Sequence, residues 1–413
     1  MRIARFALRL SLLLACLAAP LPAQAKPFKR ALVLTGGGFK FLYFVGMYDA
    51  LVDSGQQPDL IIATCGAAVA AALIQGEPDR DRRLHLLQSP ELLQAVRSFR
   101  LVRGGVRDLE LLIRKVSRYD TGWRTGSDVI PDLFSLALYD TDPVSLPGWE
   151  RSFTDRLEGA PHLLIVGAQL DVDPSRVETS RNGRGLYREV YFTDPEVAVH
   201  LQGVRSAIGL RYPGSAVSPE TITRTDFSVG DAALVSIRDP FLFRPVHRDG
   251  TYFIGGNVNL YPLELARHLA DEVTMTFNTA FNGFERLAIR VSLGYDMNQR
   301  LREITASPVD RWIDATLAGV KQFAMDPRMA YGFPQLFRLR PNLPVDETLP
   351  PYAAGDSGYR IPATAELTRR ALAAYDWGYT RGLEAARLAP DGRTDHVRRK
   401  TARNFGGPPA PTP

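Results

Sequence analysis

Two short apolar runs near the start of the chain each end in a turn of small residues and lead into a helix-forming segment. The first run, Ala31 to Thr35, is followed by Gly36-Gly37-Gly38 and by a segment with helical spacing that ends at Gly55. The second run, Asp59 to Ala63, is followed by an Ala-rich helical segment from Gly66 to Gln75. This βαβα order predicts a parallel sheet covered by helices, and therefore an α/β protein.

A reactive side chain lies at the tip of the second turn. The sequence LIIATCGAA places Cys65 where a strand passes directly into a helix, which is the layout of a nucleophile elbow. In a parallel sheet the glycine turn lies at the same edge, because both turns follow the carboxyl ends of strands. Glycine N–H groups that converge at such an edge suit an oxyanion or a phosphate. Together the two turns predict acyl-transfer chemistry, whereas the glycine turn alone is equally well explained as a tight packing turn.

The first 25 residues have the features of a secretory signal peptide. Three arginines precede the apolar run Leu10 to Leu17, and an AxA site ends at Ala25. We therefore expect export to the periplasm or the medium, with envelope association and a lipoprotein acylated at Cys16 as open alternatives. Cleavage removes three of the 50 basic residues and none of the 45 acidic ones, so the formal net charge falls from +5 to +2. Basicity is then a poor reason to expect nucleic acid as a partner.

After the signal peptide, the sequence pattern divides the chain into a main domain and a C-terminal part. The 413 residues are 45% hydrophobic and 23% charged, which is typical of globular proteins. We expect an α/β domain over residues 26–282 with a helical insertion at 79–148, a helical extension over 283–390 and a flexible tail over 391–413. After cleavage Cys65 is the one remaining cysteine, which excludes an internal disulfide. Its thiol is either a buried apolar group or a reactive one, and both interpretations stay open.

The two turns and several blocks downstream are similar to those of one protein family. TGGGFKFLYFVGMYDAL and PDLIIATCGAAVAAAL resemble the opening of the patatin-like phospholipases, serine lipid acyl hydrolases with a GGGx[RK]G oxyanion loop and a GxSxG elbow. Downstream, VSIRDPFLFRP resembles the family's block of AS, a Pro and FxP, and IGGNVNLYP resembles its DGG…P block. The blocks follow in family order between residues 30 and 280. The resemblance implies a three-layer αβα fold with a mainly parallel central sheet.

The resemblance also implies roles for individual residues. The oxyanion-loop and substrate-binding positions are Gly36, Gly37, Gly38, Lys40 and Gly66. The nucleophile position is Cys65, and the position of the Asp in the family's Ser-Asp dyad is Ile254. The rest of the DGG…P block is kept by Gly255, Gly256 and Pro262. Neither a metal nor a cofactor is implied.

The chain departs from the family at several motif positions. These positions are Phe41, Ala63, Cys65, Ile254 and, more mildly, Ala67. The change at Ile254 is the most serious, because its side chain cannot accept a proton, hold a hydroxyl or carry charge. The nearby pair Asp249-Gly250 is interpreted as a hairpin turn, and His247 as a surface residue and not a base.

These departures set the expected function. A Cys at a helix N-terminus ionises more easily than a Ser, here with help from Lys40, but an ester expels an alkoxide that needs a general acid. With Ile254 at the dyad position, we expect an exported protein that acts on or binds lipid acyl groups with impaired hydrolysis. Two alternatives stay open, an active acyl hydrolase or thioesterase using Cys65 and a non-catalytic envelope interaction protein. The expected partner is a lipid or acyl chain, with peripheral membrane contact left open, no nucleic acid expected and no protein partner identified.

Overall fold

The computed structural model describes residues 25–315 and 364–388, apart from short gaps between positions 93 and 147 and at 279 and 282. The signal sequence, up to residue 24, and the predicted tail over 391–413 lie outside the described residues. The strands are β1 Phe28–Leu34, β2 Leu60–Thr64, β3 Phe99–Leu101, β4 Tyr139–Thr141, β5 His162–Leu170, β6 Tyr187–Thr193, β7 Val217–Arg224, β8 Val246–Arg248, β9 Thr251–Ile254, β10 Ala270–Phe277 and β11 Arg311–Asp314. The helices are α1 Phe41–Asp53, α2 Gly66–Gly76, α3 Arg80–Leu86, α4 Val106–Arg118, α5 Pro195–Ala198, α6 Ala207–Arg211, α7 Val229–Ser236, α8 Leu263–Leu269, α9 Gly283–Leu293, α10 Met297–Ala306 and α11 Thr364–Ala386.

Nine of these strands form one central sheet with the order β11-β10-β1-β2-β5-β6-β7, while β9 pairs with β5 and β8 with β9. The strands from β11 to β5 are parallel, and β6 and β9 run antiparallel to β5. The predicted βαβα start is confirmed, since β1 and β2 are parallel neighbours joined by α1. Both turns therefore lie at the same edge of the sheet, as parallel strands require.

Helices cover both faces of the sheet and give it three layers. Alternate residues of β1 point to opposite faces, so that Leu32 and Leu34 pack with α1, α2, α7 and α11. Ala31 and Val33 pack on the other face with α4, α8, α9 and α10. The central strands are mostly apolar because both faces are covered, and all five residues of β2 are buried. The predicted αβα architecture is confirmed.

Two predicted boundaries need correction. The segment 79–148 contains helices α3 and α4, but β3 and β4 also form an antiparallel pair within it, so it is not purely helical. The segment 283–390 supplies β11, which pairs with β10 in the central sheet. A division at residue 282 therefore separates strands of one sheet. The four residues of β11 are too short to give a clear sequence pattern, and its place is fixed by pairing with β10 and burial of Trp312.

The described helices include none with the length and apolar run that crossing a bilayer requires. The longest of them, α11, packs along α1 and buries one face there.

Candidate active site

The turn between β2 and α2 has the strained backbone of a nucleophile elbow. Cys65 has φ 52° and ψ −134°, a conformation that residues with a side chain rarely adopt. The Ser236 hydroxyl holds it in place, accepting a hydrogen bond from the Cys65 N–H at 2.9 Å and donating one to the Val166 carbonyl at 2.6 Å. The turn thus presents the Cys65 side chain at the carboxyl edge of the sheet.

The glycine loop lies directly against this elbow. A Cβ on Gly66 would be 1.9 Å from the Gly38 carbonyl oxygen, and one on Gly36 would be 3.4 Å from the Cys65 Cβ. Gly38 itself has φ 54°, which favours glycine at that position. The structure therefore brings together the glycine loop and the nucleophile position that the sequence predicts as parts of one site.

Two residues of the predicted oxyanion loop have structural contacts instead. The Gly36 N–H donates to the Thr64 hydroxyl at 3.0 Å, so it is occupied in holding the loop to β2. The Lys40 ammonium donates to the Asn278 amide oxygen at 3.1 Å and to the Ala315 carbonyl at 3.3 Å. Lys40 thus ties the loop to the ends of β10 and β11, and these contacts do not place its charge against the Cys65 sulfur as the sequence predicts.

The environment of the Cys65 thiol favours its protonated form. Burial raises the thiol pKa, and the neighbouring Asp239 carboxylate raises it further. Hydrogen bonds from the backbone of Gly66, Gly38 and Gly37 act in the opposite direction but are outweighed. The easier ionisation that the sequence leads us to expect is therefore not found, because the Cys65 side chain is 93% buried and faces a carboxylate, and the sequence reveals neither.

Asp239 lies beside Cys65, although the sequence motifs do not assign it to the site. Its two carboxylate oxygens each lie 3.7 Å from the Cys65 sulfur. It follows α7, three residues after Ser236, in the block that resembles the family's AS and FxP segment. The signal that could have revealed it is simple, since Asp239 is the one acidic residue between Val235 and Pro245.

Ile254 lies where the resemblance puts it but within the apolar core. It pairs with Ala168 at the end of β9 and is 1% exposed. Gly255 donates its N–H to the Arg238 carbonyl at 2.8 Å, which joins this segment to the one that carries Asp239. A Cβ on Gly256 would be 2.9 Å from the Cys65 nitrogen, so this glycine allows the segment to approach the elbow. Pro262 is the residue directly before α8.

The hairpin interpretation of the neighbouring segment is confirmed. Strands β8 and β9 are antiparallel and are joined by Asp249 and Gly250, both with positive φ. Asp249 is exposed at the tip of the turn, and His247 is exposed with its ring against Tyr252. Both residues lie on the surface, as the sequence predicts.

The inserted segment packs into the same core cluster as the site residues. Leu112 and Val116 of α4 belong to the same apolar cluster as Cys65 and Ile254. Just after α4, the Tyr119 ring stacks on Phe241 with centroids 6.4 Å apart.

One group of side chains within the described ranges has the composition of a metal site. His162, Asp194 and Glu196 bring ligand atoms within 4.8 Å of one another at the amino end of β5, the edge opposite Cys65. His162 uses its Nδ1 for Asp194 at 2.9 Å and its Nε2 for Glu196 at 3.5 Å. Because the carboxylates meet different ring nitrogens, the group is explained as a hydrogen-bond network.

The site can be compared with known proteins. Residues 32–195 match the family model described as patatin-like phospholipase, a range that includes the glycine loop and Cys65 and ends before Asp239 and Ile254. Among solved structures, the chain is similar to the type III effector protein ExoU at 14% identity, with a TM-score of 0.28, over 87% of this chain and 54% of that one. The chain thus spans about half the length of ExoU, and no curated protein matches it. Over residues 32–195 the chain is therefore similar to the patatin-like phospholipases, a family of lipid acyl hydrolases.

Proposed function

We propose that this protein hydrolyses acyl esters or thioesters of lipids with Cys65 as its nucleophile. The observation that carries the proposal is the glycine loop packed directly against the strained elbow at Cys65, where a Cβ on Gly66 would be 1.9 Å from the Gly38 carbonyl oxygen. Backbone N–H groups fixed at such a position stabilise the oxyanion of a tetrahedral intermediate, which is the largest contribution to catalysis in many acyl-transfer enzymes. The family relationship supports a lipid acyl group as the substrate.

The expectation of impaired hydrolysis depends on the missing carboxylate at Ile254. Asp239 beside Cys65 removes that reason, because a carboxylate is present although it comes from another segment. Attack by sulfur gives an acyl thioester on Cys65, which water then hydrolyses. A thioester substrate expels a thiolate that needs little protonation, so we expect thioesters to react faster than phospholipid esters.

A second candidate function is binding of an acyl chain without hydrolysis. It is favoured by the burial of Cys65, which is 7% exposed, and by the raised pKa of its thiol. The apolar side chain of Ile254, in the same core cluster as Cys65, adds to the apolar surroundings of the site. This candidate predicts a lipid that remains intact after extraction from the purified protein.

The experiment that separates the two candidates measures turnover of a phospholipid, a nitrophenyl ester and an acyl thioester by the full chain. If Cys65 is the nucleophile, iodoacetamide inactivates the protein and Cys65→Ala reduces the rate to the buffer background, because no other group takes over the attack. Cys65→Ser is the matched control, since it keeps a nucleophile and should react with a fluorophosphonate probe. Turnover that persists in Cys65→Ala would contradict the proposed function.

We further propose that the protein is exported, on the strength of its charged start, apolar run and AxA site. The main α/β domain then begins at Lys26, and contact with the envelope is peripheral. Mass measurement of the protein from the periplasmic or extracellular fraction tests this, with Lys26 as the expected first residue. An intact chain that retains residues 1–25 in the cytoplasmic fraction would contradict it.

A further inference from the structure

The Cys65 sulfur faces a carboxylate that does not come from the position where the family's dyad has one. Both oxygens of Asp239 lie 3.7 Å from the sulfur, a distance at which the thiol proton is directed to the carboxylate. We propose that Asp239 is the proton acceptor and donor for Cys65, in place of the carboxylate missing at Ile254. The inference rests on the proposed function and adds a second catalytic residue to it.

The backbone around Asp239 is held in one conformation. Its carbonyl accepts hydrogen bonds from the N–H groups of Leu242 and Phe243, each at 3.1 Å, and its own N–H donates to Ile237 at 2.9 Å. Phe241 has φ 65° and is fully buried, where it stacks on Tyr119. A positive φ in a buried aromatic residue persists only where its surroundings enforce it. The carboxylate is therefore preorganised beside the sulfur and does not depend on a mobile loop.

The position of Asp239 explains how a carboxylate from one segment can take the place of a carboxylate missing from another segment. Ile254 ends β9, and the next residue, Gly255, is hydrogen-bonded to Arg238. A Cβ on Gly255 would lie 2.9 Å from the Arg238 carbonyl atoms, so the two segments are in backbone contact beside the elbow. A side chain from either segment can then reach the same sulfur. In this chain one segment supplies an apolar side chain and the other the carboxylate.

The resting thiol retains its proton, so attack needs a base. Burial and the Asp239 charge both raise the thiol pKa, which leaves little thiolate near neutral pH. A carboxylate in hydrogen-bonding contact removes this need for prior ionisation, because it takes the proton as the sulfur attacks. The same contact that opposes ionisation at rest therefore assists the reaction.

Each proton in the cycle can be assigned to Asp239. As sulfur attacks the acyl carbon, the thiol proton moves to the Asp239 carboxylate, and the backbone N–H groups of Gly37, Gly38 and Gly66 hold the oxyanion. The carbon–oxygen bond of the ester then breaks, and the leaving alkoxide takes the proton from Asp239, which leaves an acyl thioester on Cys65. Water attacks this thioester and gives a proton to Asp239. The carbon–sulfur bond breaks, and the Cys65 thiolate recovers that proton as the fatty acid leaves.

The test compares Asp239→Asn and Asp239→Glu with the parent in ester turnover and in alkylation of Cys65. We expect Asp239→Asn to lower kcat by about 10²-fold or more, in the range found for general acid–base groups. Removal of the charge should also move the midpoint of iodoacetamide alkylation to lower pH, so that the thiol becomes easier to ionise while hydrolysis is lost. Asp239→Glu keeps the carboxylate and should retain more activity than Asp239→Asn. Thermal melting confirms that each variant is folded.

Several outcomes would overturn the inference without touching the proposed function. Turnover that is lost in Cys65→Ala but stays within about threefold of the parent in Asp239→Asn shows that Asp239 moves no proton. Equal losses in Asp239→Asn and Asp239→Glu, or an unchanged alkylation midpoint, would mean that the contact is structural. Turnover that does not depend on Cys65 contradicts the proposed function first, and the inference with it.

Discussion

At the scale of single residues, Gly66 is where the elbow and the glycine loop come closest. A Cβ there would lie 1.9 Å from the Gly38 carbonyl oxygen and 2.7 Å from the Gly38 nitrogen. These are backbone atoms, which cannot turn aside as the end of a side chain can. Any larger residue at position 66 would therefore displace the loop that carries the N–H groups of Gly37 and Gly38.

Gly66→Ala should thus remove oxyanion stabilisation while leaving the thiol in place. We expect a fall in kcat for Cys65-dependent hydrolysis of about 10²-fold or more, the loss typical of removing one oxyanion donor. Steady-state kinetics and a thermal melt of the variant measure the effect. Gly214→Ala is the matched control, because a Cβ at Gly214 meets no atom within 4 Å. If Gly66→Ala retains half of the parent rate, the loop does not bind the oxyanion.

The sequence reveals the glycine loop and Cys65 because local pattern encodes them. A strand, a turn of small residues and a helix follow one another within a few positions in each case. Asp239 is different, since its approach to Cys65 depends on how a segment 174 residues away turns after α7. The direction of Lys40 depends on Asn278 and Ala315, which are equally remote in sequence. Contacts of this kind are set by the tertiary fold, so the sequence can show that a carboxylate is present in the segment but not that it reaches Cys65.

At the scale of elements, a partly buried ion pair ties α4 to the segment that follows it. The Lys115 ammonium lies 2.5 Å from a carboxylate oxygen of Asp132 and 2.7 Å from the Ser135 hydroxyl. Burial raises the pKa of Asp132, but hydrogen bonds from Lys115, Ser135 and two backbone N–H groups outweigh it and lower the pKa to about 2. The charged form of Asp132 is therefore the one that stabilises this segment.

This contact predicts an acid-dependent loss of stability. Because the folded pKa of Asp132 is below its unfolded value of about 3.9, its contribution is present above that value and is lost as the pH falls towards 2. We expect Asp132→Asn to be less stable than the parent at pH 6 and to differ less from it as the pH falls. Urea unfolding between pH 6 and 3 measures the difference.

The control for this pair is Glu110→Gln, which removes an exposed ion pair with Arg114 on the same helix. Exposed pairs contribute little, so this variant should follow the parent at every pH. A difference between Asp132→Asn and the parent that stays constant down to pH 3 would mean that the ion pair does not stabilise α4.

Element type is predicted well wherever burial on both faces makes a strand continuously apolar. The buried part of β1 and the whole of β2 have this property, and the sequence locates both strands. The short β11 and the pair β3–β4 are not predicted, because three or four residues do not establish a hydrophobic period. Such strands form because they pair with a neighbouring strand, and their own sequence does not determine their conformation.

At the scale of the whole molecule, α11, near the end of the described residues, packs against α1, near their start. Gly46 of α1 and Gly378 of α11 allow the two helices to touch, since a Cβ on Gly46 would lie 2.1 Å from the Tyr375 carbonyl oxygen and one on Gly378 1.9 Å from that of Tyr43. The Tyr375 hydroxyl donates to Asp49 at 2.8 Å across the same interface. Helix α1 directly follows the oxyanion loop, so α11 supports the catalytic edge from outside the matched family region.

Gly378→Ala tests this close approach, because the effect of the same substitution on the stability of a free helix is known. In a free helix the substitution would stabilise by about 0.8–1 kcal/mol, whereas here the added methyl meets the Tyr43 backbone. We expect a net loss of about 1–3 kcal/mol in the free energy of unfolding, as for overpacked cores. Urea unfolding measures it, with exposed Thr380→Ala on the same helix as the control. A variant more stable than the parent would show that the helices can separate without cost.

The pairing of α1 with α11 joins residues 326 positions apart, and this sets the order in which the chain can fold. Closing so long a loop is slow, and the apolar face of α1 stays uncovered until α11 has been synthesised. The packing of α1 is therefore completed only after α11 has formed, long after the segment that carries Cys65 has been made.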